Sequence, residues 1–399
     1  MKKVSLVALL TCIIISVMVM WVQQPWSSRV FEICAFALAI IWLGAFVLSR
    51  AEPRWSLALA APAGASAWAM IQLFSGATIY AWKTETAALY WSANAAFFLV
   101  ALQVFADHHL RRRFLAVMTL FAGVLAIIST AQYYTADNAV FWIFQTDPEV
   151  YFGHMMGPFL NRNQYAAFME MLLPIAMYNA VLNRKYGSWY AIATGIIYAS
   201  VISSASRAGA VLTTLELLVV PFLLWRKGSM SSRGLLPALG VIVICVGALV
   251  GALGYEDVLE RVQNGDKDVT RSEFRAASIV MAQEHPWTGV GLGNWATAYP
   301  AYATSDNGKF ANQAHNDWVQ WAAEGGIPML LLMALLALWA LPRAVQSIWG
   351  IGVIAIFLHC WVDYPLERVG LATLFFVLLA ALEYPPDHEH HHDHDHEHV

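Results

Sequence analysis

The sequence predicts an all-α, polytopic transmembrane bundle of about twelve spans, and three observations lead there. Of 399 residues, 59% are hydrophobic and only 13% charged, about half the charged share of an ordinary soluble domain. The mean hydropathy is +0.54, and apolar runs of about 20 residues, the length that crosses a ~30 Å hydrocarbon core, recur along the chain. Lys and Arg cluster between these runs on one set of connections, the pattern that orients a membrane protein.

The runs fall near residues 4–22, 30–49, 56–74, 86–105, 114–133, 164–183, 189–205, 208–225, 234–254, 316–341, 345–361 and 368–383. Met1-Lys2-Lys3 ahead of the first run resembles a secretory leader. That run is long for a leader, however, and no small-x-small cleavage site follows it, so an uncleaved span is expected. With the N-terminus inside, the inner connections carry Lys2, Lys3, Arg50, Arg54, Arg111, Arg112, Arg113, Arg184, Lys185, Arg226, Lys227, Arg233 and Arg343. The short outer loops then hold only Arg29, Lys83, Arg207 and Arg368, so N-in, C-in is expected. The organisation that follows is one transmembrane domain over 1–383, with outer loops at about 134–163 and 255–315. The larger loop lies between spans nine and ten and contains an amphipathic helix. Residues 384–399 form an inner His/Asp/Glu-rich tail, either a loose metal-binding tract or an appended segment.

A net charge of −4 supplies no basic field for nucleic acid. Cys12, Cys34, Cys245 and Cys360 lie in apolar runs without CxxC spacing and read as small hydrophobes. No internal repeat of the kind that marks many secondary transporters is visible.

The larger outer loop is the richest in polar motifs. In Val269-Thr270-Arg271-Ser272-Glu273-Phe274 the Thr-x-x-Glu spacing is a capping box, and Val269 and Phe274 are placed as a hydrophobic staple. The pattern predicts a helix from Arg271 to about His285, stopped by Pro286. Arg271 in its first turn is either a solvated surface arginine or, with the free N–H groups, part of an anion site. Arg275 lies one turn further on the same face. Gly289-Val290-Gly291-Leu292-Gly293-Asn294 follows no strand and reads as a tight turn, not a nucleotide loop.

In Ala314-His315-Asn316-Asp317-Trp318, Asn316 or Asp317 can cap a helix that Gly325-Gly326 interrupts and Pro328 restarts, which predicts a broken helix over 316–341. His315 then stands at the interface, as a structural histidine or a proton-transfer group. In Ser203-Ser204-Ala205-Ser206-Arg207-Ala208-Gly209, Arg207 either snorkels to headgroups or points inward beside Arg271 and His315. Asn161 and Asn163, at the end of the first loop, bind sugar hydroxyls or cap the next helix. Glu170 and Glu216 fall within spans, where a carboxylate marks function or ties helices together, for Glu216 through Thr213, Thr214 or a neighbouring span.

Four elements in order, GPFLNRNQYAA, SSASRAG, TRSEFRAAS…EHPWTGVGLGNW and QAHNDWVQWAAEGGIP, resemble the O-antigen ligase and O-antigen polymerase superfamily of bacterial inner-membrane glycosyltransferases. The likeness covers about residues 155–341. It implies a glycan donor on undecaprenyl diphosphate and metal-independent, inverting transfer without a cofactor on the periplasmic face. The acceptor is lipid A–core or another glycan, and membrane lipids surround the chain. The resemblance maps diphosphate-binding arginines onto Arg207 and Arg271, with Arg275 as a neighbour, and the catalytic histidine onto His315. Asn161, Asn163, Asn316, Asp317 and Glu216 are expected around the substrates. Ligation to lipid A–core is the leading expectation, and polymerisation of repeat units on the same carrier is the rival. A protein acceptor fits less well, because such relatives usually carry a larger outer C-terminal domain. A transporter would place its key charges at the bilayer midplane.

Overall fold

The computed structural model describes residues 1–22, 24–50, 52–136, 139–146, 155–231, 269–304 and 310–384. The expected span at 234–254, the loop up to residue 268, Arg233, Cys245 and the tail beyond Tyr384 lie outside the described residues. Thirteen α-helices are found among the described residues: α1 (Lys2–Met18), α2 (Pro25–Ser49), α3 (Ala60–Ser75), α4 (Ala81–Phe105), α5 (His108–Thr135), α6 (Arg162–Leu182), α7 (Gly187–Ser203), α8 (Arg207–Arg226), α9 (Val269–Glu284), α10 (Trp295–Ala298), α11 (Asp317–Ser347), α12 (Ile351–His359) and α13 (Val369–Leu382). Among the described residues, seven helical segments are long and apolar enough to cross a membrane. Helices α1 and α7 have 17 residues each and α13 has 14, below the usual length. The only sheet among the described residues is a two-residue hairpin, Ala139–Val140 against Phe144–Gln145, in the first long loop.

Helix α13 is apolar on every side, and it is buried from Gly370 to Leu382. A helix without a polar face is a core helix. Helix α4 packs along α13, where Trp91 meets Phe376 edge-on at 6.0 Å. On α11, Leu331, Leu335, Leu338, Leu341 and Val345 are exposed along one stripe, the surface that lipid would cover. At one end of the bundle Arg54 and Arg111 sit over the Tyr384 ring and Arg343 lies 3.9 Å from Glu383, so cations assigned to the inner side meet there.

Helix α11 breaks as its glycines predict. Gly326 has φ 63° and ψ −161°, and the Ile327 N–H donates to Pro286 O at 2.8 Å instead of within the helix. The break lets the Glu324 carboxylate turn into the glycine-rich loop. There it accepts from Gly293 N at 2.9 Å and Trp295 N at 2.8 Å, while Gly291 N donates to the Glu324 carbonyl at 3.0 Å. Successive backbone N–H groups of this kind form an anion nest. A carboxylate of the chain itself fills it, so the loop is a structural clasp, as a tight turn requires.

Gly289 shows how close the clasp is. Its φ is +63°, and a Cβ there would lie 2.3 Å from the carbonyl carbon and oxygen of Glu324. Gly289→Ala is therefore expected to destabilise the protein by about 2 kcal/mol or more. Gly44→Ala is the control, because a Cβ at Gly44 meets nothing within 4 Å. Thermal unfolding in detergent should show a lowered midpoint for the first variant and none for the second; equal midpoints would contradict the clasp.

Candidate functional site

Three segments enclose a pocket of about 260 Å³ lined by Arg271, Ser272, Arg275, Ala314, His315 and Val362. Helix α9 supplies the two arginines and the serine. Its opposite side, Phe274, Ala277, Ser278 and Met281, is buried, and that spacing gives one apolar helix face. Trp295 and Tyr299 stack at 4.9 Å, and Phe274 meets their rings edge-on at 5.4 and 4.9 Å. This small second core fixes α9 against α11. The Arg271 guanidinium donates to Val362 O at 3.4 Å.

His315 holds φ 53°, a left-handed conformation that costs energy for a residue with a Cβ. Its neighbours enforce it. Asn316 caps α11 by accepting from Val319 N at 3.1 Å, and its amide donates to Trp361 O at 2.7 Å. Asp317 is fully buried; its backbone N–H donates to Cys360 O at 2.9 Å, and its carboxylate accepts from Leu366 N at 3.1 Å. The strand-like stretch before α11 is thus stitched to the turn that follows α12. Phe274 stacks parallel to the His315 imidazole at 6.2 Å, and Tyr364 meets it edge-on at 4.8 Å.

The same turn carries Asp363, with Oδ1 3.5 Å from His315 Nδ1. That distance is long for a hydrogen bond and short enough for strong charge attraction. Burial alone pushes the Asp363 carboxyl up. The adjacent His315, with His359 and Arg271, overcomes burial and holds it below the usual carboxylate range.

Asn161 and Asn163 serve as caps and as cross-links. Asn161 Oδ1 accepts from Asn163 N at 2.8 Å at the start of α6, and its amide donates to Asp363 Oδ2 at 3.3 Å. Asn163 Oδ1 accepts from the Ser206 hydroxyl at 2.8 Å, and Ser206 caps α8 through Gly209 N at 3.1 Å. Arg207, the first residue of α8, is exposed next to this cap and does not line the pocket. Arg271, Arg275 and His315 therefore come together. Arg207 joins them only through the chain Ser206–Asn163, Asn161–Asp363–His315.

Two expectations change. The described part of α9 already includes Val269, so Arg271 is not the first residue of the helix. Glu273, the acid of the expected capping box, accepts from Thr304 N at 2.9 Å and its hydroxyl at 3.1 Å, tying α9 to the segment after α10; the Thr270 side chain of that box lies outside the described residues. Thr213 and Thr214 do not tie Glu216 to another helix. Their hydroxyls bond the α8 carbonyls of Gly209 and Ala210, and both Glu216 oxygens are buried without a hydrogen-bond partner. Glu216 sits in the bundle and does not line the pocket.

Sequence reasoning missed the turn after α12. His359 and Asp363 follow an apolar run at i, i+4 spacing. That pairing, on the side of the bundle where the other polar motifs collect, was the available signal.

Asp363 gives a pH-dependent stability test. Its depressed folded-state value means that its contribution is present above the unfolded value of about 3.9 and is lost as pH falls through the lower folded value. Asp363→Asn should cost about 1–3 kcal/mol at neutral pH. The gap in thermal midpoint from the wild type should persist from pH 8 to 5 and close only below about pH 4. A gap that closed between pH 7 and 5 would show that Asp363 is not held in its charged form.

Comparison with curated proteins finds no match. The family model described as O-antigen ligase matches residues 191–334, from within α7 to the second half of α11. That stretch holds Arg207, Arg271, Arg275, His315, the glycine clasp and the helix break. The pocket residues of α9 and the His315 segment thus fall inside the region that is similar to the O-antigen ligase family.

Proposed function

We propose that the chain is a glycosyltransferase of the inner membrane that moves a glycan from undecaprenyl diphosphate to an acceptor hydroxyl on the periplasmic face. One observation carries the reading: two arginines of α9 and a histidine from the segment before α11 line one pocket, and all three fall inside the family-matched region. Transfer breaks the bond between the anomeric carbon and the phosphate oxygen, and negative charge grows on the departing diphosphate. The Arg271 and Arg275 guanidiniums face that charge in the pocket, and Arg207 approaches the diphosphate from the cap of α8. Guanidiniums supply fixed positive charge in a forked hydrogen-bonding geometry, the electrostatic work a divalent ion does in other transferases.

His315 accepts the proton of the attacking hydroxyl. Its Nδ1 is turned toward Asp363, which leaves Nε2 for the hydroxyl and stabilises the imidazolium that forms. Attack on the face opposite the leaving diphosphate inverts the anomeric centre. Asn316 and Asp317 act indirectly, by holding His315 in its left-handed conformation. The acceptor favoured here is lipid A–core, which makes the protein a ligase. A polymerase that adds repeat units on the same carrier would use the same pocket.

The test is transfer by the purified protein in detergent, with lipid-diphosphate glycan and acceptor. Arg271→Ala, Arg207→Ala and His315→Ala should each lower transfer by roughly 100-fold or more, with protein amount and thermal midpoint retained. Normal transfer by all three would overturn the site. Turnover without any gradient excludes a pure transporter. A single capped product identifies a ligase, whereas a ladder identifies a polymerase.

A further inference from the structure

Below the pocket, inside the bundle, a second ionisable pair has no part in the chemistry above. His359, the last residue of α12, and Glu170, on α6, are both fully buried, and His359 Nδ1 lies 2.9 Å from each Glu170 carboxylate oxygen. Two helices are in backbone contact here. A Cβ at Gly352 of α12 would lie 2.4 Å from Glu170 O and 2.9 Å from Met171 Cα, so only glycine lets α12 lie this close to α6. A buried ion pair is a poor source of net stability compared with apolar packing. Its value lies in fixing one arrangement.

The arrangement it fixes leads to the pocket. The His359 carbonyl accepts from Val362 N at 2.9 Å and from Asp363 N at 3.0 Å, so the turn carrying Asp363 hangs from this residue. Higher on the same helix, Asn161 donates to Asp363 Oδ2. Helix α6 thus grips residues 359–363 at two points about nine residues apart along its axis, and two points fix both the height and the rotation of the turn. Other ionisable groups near the pair are Glu216 on α8, Asp363 on the turn itself and Arg271 on α9.

We infer that Glu170 and His359 are positioning residues, a buried strut that sets the 360–363 turn so that Asp363 meets His315 Nδ1 and Nε2 faces the acceptor hydroxyl. This rests on the transfer reaction proposed above. A misplacement of the order of 1 Å at the reacting group costs about 100-fold, so losing the strut should slow the chemical step and leave donor binding to the arginines intact.

The experiment uses the full chain in detergent and compares kcat and KM for the lipid-linked donor. Glu170→Ala should lower kcat by about 10- to 100-fold with KM unchanged. Glu170→Gln keeps an oxygen facing His359 Nδ1 and should restore most of that loss. In the Asp363→Asn background, Glu170→Ala should cause little further loss, because the strut acts through Asp363. Multiplicative losses in the double variant, a raised KM at constant kcat, or no rescue by glutamine would each overturn the inference. If Glu170→Ala fails to give a monodisperse protein, His359→Gln in the same two backgrounds decides by the same criterion. His315→Ala separates the two levels. An inactive His315→Ala with a fully active Glu170→Ala removes only the strut, whereas a fully active His315→Ala, or a wild type that transfers nothing, removes the reaction and the strut with it.

Discussion

The buried Asp363 carboxylate is the point from which the site is organised. One of its oxygens faces His315, and the other accepts from Asn161. Asn161 starts α6, which is bound through Asn163 and Ser206 to the start of α8. Asp363 itself is carried on a turn whose backbone bonds to the segment leading into α11. A single anion, buried and held charged by its neighbours, therefore joins the ends of four helices. Low dielectric surroundings make each of these attractions strong, and leave any unpaired member costly. The site is stiff for that reason, with a histidine held in a backbone conformation that few residues adopt unforced.

A second buried carboxylate, Glu324, does for the outer segment what Asp363 does for the bundle. The glycine-rich loop offers successive N–H groups, the same device that binds phosphate in nucleotide proteins. Here Gly293 and Trp295 donate to Glu324, and Gln72 on α3 reaches in to accept from Leu292 N at 3.0 Å and to donate to Thr288 O and Glu324 O. The loop is thereby fastened to α3 and α11 together. Since α9 leads directly into this loop, the clasp fixes the distance between the arginine-bearing helix and the bundle. Charge for binding a diphosphate is left to the exposed side of α9, where Arg271 and Arg275 line an open pocket.

The layout of the bundle was legible because hydrophobic runs and charge clusters depend on local composition alone. Most expected spans among the described residues coincide with a helix, but the run at 345–361 holds only the nine-residue α12, too short to cross alone; the break at Gly326 follows from its neighbours Gly325 and Pro328. His315, Arg271 and Arg275 were legible as polar groups at one end of the bundle. What stayed hidden depends on contacts between distant segments. Asp363 has only its spacing from His359 to mark it, and nothing near it in sequence shows that Asn161 and His315 converge on it from residues far away. Glu273 reads as a capping acid from its local spacing to Thr270, whereas its bond to Thr304, on another segment, leaves no signal in the sequence. Glu170 was noticed as a carboxylate within a span, but the one-turn spacing of His359 and Asp363 needed a partner helix before it had meaning.

The arrangement also explains why the pocket is built on short and broken elements. A continuous span carries its polar groups toward lipid at fixed intervals and cannot bring its end into a bundle without leaving backbone groups unsatisfied. Helix α12 stops after nine residues, and its free carbonyls at His359 and Cys360 accept from Val362, Asp363 and Asp317. Helix α11 breaks at Gly326, and the carbonyls of Pro286 and Glu324 accept the N–H groups of Ile327 and Gly291 across that break. In both places the interruption is possible because a neighbouring segment satisfies the exposed backbone. The interruptions in turn create the only geometry in which residues from α6, α9, α11 and the turn after α12 reach a common point. Backbone satisfaction inside an apolar bundle is thus the condition that allows a polar site to form at its end.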